Sequence, residues 1–92
     1  MKIYKYPLST KTIQEIVMPK NAKILSALNQ REKICIWALV DPEEQEVEKR
    51  TIEVYATGLT TFDSKNIKFI DTVSFLNGSL IYHVFERKTE EE

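Results

Sequence analysis

The sequence predicts a small all-β domain: an antiparallel sheet, barrel or sandwich of about six or seven strands. Three observations carry this. The apolar segments are short, β-branched or aromatic, and separated by turn chemistry, as in KIYKYPL, TIQEIVMP, KICIWALV and RTIEVYATG. Asn77-Gly78 stands between two such runs and supplies the positive φ angles of a two-residue hairpin turn. The 92 residues, 42% hydrophobic and 29% charged, suit one core and are too few for two.

The first strand, KIYKYPL, ends near Pro7 and the second, TIQEIVMP, near Pro19, because proline has no N–H to give a ladder. STKTIQEI also has a helical reading, capped by Ser9 or Thr10 with help from Glu15, which would make the domain a β-rich α+β one. Its β-branched content weighs against that. ILSALNQ and KICIWALV then read as a hairpin turning at Gln30-Arg31. That register sets Leu25 opposite Ile36, Ala27 opposite Ile34 and, on the other face, Ile24 opposite Trp37. Both faces are then apolar, the mark of a strand packed between layers or against a partner subunit.

DPEEQEVEKR reads as a charged connection, and RTIEVYATG as the next strand. Counting outward from Asn77-Gly78, Phe75 pairs with Leu80, Val73 with Tyr82 and Asp71 with Val84 on a core face. Ser74 pairs with Ile81, Thr72 with His83 and Ile70 with Phe85 on a half-polar face. The domain is expected over residues 1–87. The KTEEE tail at 88–92 has no apolar residue to bury and is expected to be disordered.

Composition narrows the function classes. The single cysteine, Cys35, excludes an intrachain disulfide, and its place in ICIWALV predicts a buried thiol. No run approaches the ~18 apolar residues of a membrane span, and MKIYKYPLST lacks the apolar core of a signal peptide, so a cytoplasmic protein off the membrane is expected. The net charge of −1 conceals an uneven spread. Residues 1–40 hold seven Lys/Arg against two Glu, and residues 41–50 hold two against five. The basic first half suits a small anion, whereas no dense tract suits duplex nucleic acid. One histidine and scattered carboxylates give no metal-ligand spacing, and Gly58 and Gly78 are too far apart for a phosphate loop, so neither a metal nor a cofactor is expected. The small core makes a homo-oligomer the natural supplement.

His83 is the only histidine, and Thr72 is its expected cross-strand neighbour. The two form no triad, because Asp71 should point to the opposite face. Catalysis, ligand contact and a structural role all stay open for His83. Tyr4 and Tyr6 share a strand face and can stack on a base, while Arg31 and Arg87 can fork onto phosphates. The binding candidates are therefore Arg31, Thr72, His83, Arg87, Tyr4 and Tyr6, with a small anionic nucleotide-type ligand. Trp37 and Tyr82 read as core or interface.

In order, YPL, VMPKNAKIL, CIWALVDP, ATG and FIDTVSFLNGSLIYHVFE resemble a family of small bacteriophage and prophage proteins over residues 4–86. Ala56 stands where that family commonly has Gly, and Tyr82 where it often has Trp. The resemblance implies a phage setting inside an infected bacterium and a protein that acts by binding, compatible with viral sponge proteins that sequester nucleotide signals of bacterial immunity. The alternative is a direct inhibitor of a host protein, which needs an exposed apolar patch. An enzymatic reading would rest on His83 alone.

Overall fold

The computed structural model describes residues 1–59 and 61–88. Its strands are β1 (Lys2–Pro7), β2 (Ile13–Pro19), β3 (Lys23–Gln30), β4 (Lys33–Val40), β5 (Val47–Ala56), β6 (Ile67–Phe75) and β7 (Leu80–Arg87). They form two antiparallel sheets, one ordered β1-β4-β3 and the other β2-β5-β7-β6. The architecture is all-β, as the sequence predicts. No α-helix occurs among the described residues, and STKTIQEI becomes a connection at 9–12 followed by β2. The tail expected to be disordered lies, from residue 89 onward, outside the described residues.

The two sheets bury a common core between them. Leu8, Ala27 and Ile36 belong to one side and Ile52, Val73 and Val84 to the other. A second cluster of Met18, Ala22, Ala38 and Val40 extends it toward β2. Strand alternation explains the choice: Ile36, Ala38 and Val40 share the inner face of β4, while Cys35, Trp37 and Leu39 share the outer one. Cys35 is buried.

The first hairpin differs from expectation in its turn. Arg31 and Glu32 occupy it, at φ 53° and 68°, and the Glu32 N–H donates to Asn29 Oδ1 at 2.9 Å. Ala27 therefore faces Ile36, not Ile34, and Ser26 faces Trp37. The slipped pairing keeps every residue of that stretch on its own face, so the apolar pattern alone does not tell the two turns apart. A bulge between Ile24 and Ser26 then moves Ile24 opposite Ala38, inward against the core, and leaves Leu25 exposed. The expected Ile24–Trp37 and Leu25–Ile36 pairs do not form.

The second hairpin keeps the expected register from Phe75–Leu80 to Asp71–Val84. Asn77 and Gly78 take φ 54° and 91°, and the Ser79 N–H donates to Leu76 O at 3.1 Å, closing the two-residue turn. A bulge at Ile70 then puts Phe69, rather than Ile70, opposite Phe85. The acidic connection is shorter than read from sequence: it spans 41–46, because Val47 to Arg50 pair with β2 and begin β5.

Side chains join the sheets along a seam where β3 runs beside β6. The Ala27 N–H donates to Asp71 Oδ2 at 3.2 Å, and Asn29 Nδ2 donates to Ser74 O at 3.3 Å. These contacts fix the ends of the molecule. The Arg31 turn lies at the same end as the Asn77-Gly78 turn, and Arg87, paired with Ile67, lies at the other.

Candidate functional site

At the end carrying the two hairpin turns, the core opens into a cleft of about 400 Å³. Its apolar lining comes from both sheets: Leu8 and Ile34 from one, Val54, Phe75, Leu80 and Tyr82 from the other. The Phe75 and Tyr82 rings meet edge to face, with centroids 5.6 Å apart. The rim is polar and consists of Ser9, Thr10, Lys11 and Thr12 on one connection and Glu32 and Lys33 at the first hairpin. Two lysines against one carboxylate give the rim a positive balance.

Both rim segments are held by their own hydrogen bonds. Gln14 braces the 9–12 connection, accepting from Ser9 N–H at 2.9 Å and donating to Ser9 O and Lys11 O at 3.2 and 3.0 Å. Backbone bonds from Leu8 N–H to Ile34 O and from Val54 N–H to Thr12 O, both 2.8 Å, tie that connection to each sheet. The Asn29–Glu32 bond does the same for the hairpin carrying Lys33. Such a rim is organised before a ligand arrives, which lowers the ordering cost of binding.

The residues singled out from sequence do not converge. Arg31 is exposed at the first hairpin turn. Tyr4 and Tyr6 lie on the inner side of β1, where Tyr6 packs against both core clusters. Burial, aided by Tyr4, raises the Tyr6 hydroxyl above its usual range. His83 and Thr72 pair as expected, but across the outer face of the four-stranded sheet. There the imidazole lies between two hydroxyls, with Thr72 Oγ1 at 3.2 Å from Nδ1 and Thr57 Oγ1 at 2.7 Å from Nε2. Asp71 turns to the seam and not to His83. Arg87 is engaged on every nitrogen: it pairs with Glu53 at 2.7 Å and also donates to the Asp63 and Lys65 carbonyls.

A family described as a domain of unknown function (DUF7352) matches residues 1–92. The chain belongs to that family. No curated protein and no solved structure matches it.

A second polar region lies at the end opposite the cleft, but its charges are engaged with one another. Arg50 pairs with Glu86 and donates to Ala22 O at 2.8 Å and Glu48 Oε2 at 3.3 Å. Burial would raise the Glu86 carboxyl, yet the Arg50 hydrogen bonds and charge, with Lys88 and Lys68, outweigh it and hold the group below its usual range. Glu53 is also held low, chiefly by its Arg87 hydrogen bonds. Burial and the Glu53 contact, 2.6 Å from its hydroxyl, raise Tyr55.

Arg87 also fastens the 61–66 segment over the outer face of the four-stranded sheet. Phe62 from that segment stacks on Tyr55 at 4.2 Å and meets Phe85 at 5.5 Å. Sequence reading passed over the cleft residues Lys11, Lys33 and Phe75 as ligand contacts. The only signal available was the basic balance of residues 1–40, which does not distinguish a rim lysine from a solvated one. Among the described residues no three His, Cys, Asp or Glu side chains are grouped to hold a metal ion, and no helix is long and apolar enough to cross a membrane.

Proposed function

We propose that this protein is a non-catalytic binding module that holds a small anionic, base-containing ligand in the inter-sheet cleft, and that it withdraws a nucleotide-derived immune signal in the cytoplasm of a phage-infected bacterium. One observation carries the binding reading: a 400 Å³ cleft lined by Phe75 and Tyr82 has Lys11 and Lys33 among its rim residues, on hydrogen-bonded segments. That size lies within the range of small-molecule sites. A base against an aromatic wall contributes about 1–3 kcal/mol, and the lysines neutralise phosphate. The remaining polar groups are hydroxyls and one carboxylate, with no histidine among them, which favours holding over turnover. The phage setting and the identity of the signal draw their support from the sequence resemblance.

Calorimetry with linear and cyclic nucleotides, including molecules of the cyclic ADP-ribose type, tests the reading. At least one should bind saturably below about 10 μM. Lys11→Ala/Lys33→Ala should weaken it by roughly 10- to 100-fold with the fold intact. Ligand released by heat should be chemically unchanged. No saturable binding to any of them, or recovery of a cleaved ligand, refutes the proposal.

A further inference from the structure

The two outer faces of this protein are treated differently. The 61–66 segment covers part of one with Phe62, whereas among the described residues none covers the Trp37 region of the outer face of the β1-β4-β3 sheet. On that open face Ile3 and Leu28 are each 59% exposed and the bulged Leu25 is 43% exposed. They surround Trp37, the single tryptophan of the chain. Lys5 and Lys23 share the face with Trp37 and Leu39, and none of the three strands contains a carboxylate.

The charge selects the occupant. A two-fold pairing of this face with itself would set lysine against lysine, a repulsion that costs affinity. The complementary surface must be acidic with an apolar element, and the chain carries one. Its 41–46 connection holds Asp41, Glu43, Glu44 and Glu46 and runs directly into Val47, which is 63% exposed. The Lys20 N–H donates to Glu46 O at 2.9 Å, which ties the end of this connection to the turn after β2, an edge strand of the other sheet.

We propose that the Trp37 face of one copy docks on the acidic 41–46 connection of a second copy, head to tail. The contact is heterologous, so it builds a ring or an open chain rather than a two-fold dimer. It does not depend on what the cleft holds.

Charge reversal of each half tests it by sedimentation velocity on the full chain across micromolar concentrations. Wild-type protein should associate at low salt and dissociate as salt is raised. Lys5→Glu/Lys23→Glu and Glu43→Lys/Glu46→Lys should each be monomeric while melting like wild type. Mixed, they should associate again, since the unchanged connection of one meets the unchanged Trp37 face of the other and the two reversed halves are also of opposite charge. Leu28→Ser, with no charge change, should weaken wild-type association at least several-fold. The proposal is overturned by a monomeric wild type, including one that binds only a foreign protein. An assembly that survives both reversals and high salt, or a mixture that stays monomeric, overturns it equally.

Discussion

Arg50→Met breaks the most enclosed ion pair among the described residues while keeping much of the side chain's length. The arginine side chain is 14% exposed and that of Glu86 6%. Losing the cation leaves a buried carboxylate with only the Lys88 ammonium, 3.7 Å away, as a partner, and breaking a buried pair from one side costs about 3–5 kcal/mol. The Ala22 carbonyl loses its Arg50 donor as well. A domain of this size has a total stability of roughly 5–14 kcal/mol, so the variant should sit near the edge of folding. Arg50→Met/Glu86→Leu should recover most of the loss, because an apolar pair of similar volume replaces both charges. Acidity supplies an independent check. With Arg50, the folded Glu86 lies below its ordinary 4.5, so its stabilisation is full above that value and is lost as pH falls through the folded one. Without Arg50, burial is opposed only by the Lys88 and Lys68 charges, so the folded carboxyl rises. Its penalty is then greatest at pH 7 and shrinks on acidification toward pH 4. Urea unfolding followed by Trp37 fluorescence at both pH values measures this. A loss below about 1 kcal/mol at pH 7, or an equal loss at both pH values, would refute the reasoning.

Three smaller perturbations test the rest of the fold and the cleft. Phe62→Ala removes a 39% exposed ring stacked on Tyr55, and should cost about 1–2 kcal/mol in denaturant and speed amide exchange at 61–66. Gly78→Ala puts a side chain at φ 91° and should cost about 1–2 kcal/mol, seen as a lower melting temperature. His83→Ala should cost less than about 1 kcal/mol and leave cleft affinity unchanged, since the imidazole lies on the outer face between Thr57 and Thr72. A tenfold loss of ligand affinity in calorimetry would move the site away from the cleft.

The succession of strands along the chain and most of the second hairpin were legible because alternation and Asn77-Gly78 act locally. What stayed hidden depends on partners distant in the chain. The Ile70 bulge accompanies an Asp71 bond to Ala27 across the seam, which no strand-period pattern records. The Arg31-Glu32 turn has neither Gly nor Asn at its centre, and the Asn29 side chain that supports it precedes the turn. The cleft is assembled from residues 8–12, 32–34, 54 and 75–82, so its lysines appear in sequence as isolated surface charges. Nothing in the sequence marks Glu53 and Glu86 as buried carboxylates, because Arg87 and Arg50 close on them only in the fold. Arg87, read as a phosphate fork, binds a carboxylate of its own chain instead.

The side-chain seam between β3 and β6 also bears on how this protein avoids fibrils. A sheet edge with unpaired N–H groups is a template on which further strands can add without limit. On β3, an outward-directed amide, that of Ala27, is occupied by the Asp71 carboxylate. The neighbouring Asn29 side chain engages the β6 carbonyl of Ser74. Each sheet thus closes one of the other's two edges with a few polar atoms, leaving β1 and β2 as the remaining edge strands, and the guard costs no backbone ladder. The same economy leaves it fragile: a change as small as Asp71→Ala removes a stopper, and amyloid-type growth, rather than simple unfolding, becomes the expected route of failure during prolonged incubation.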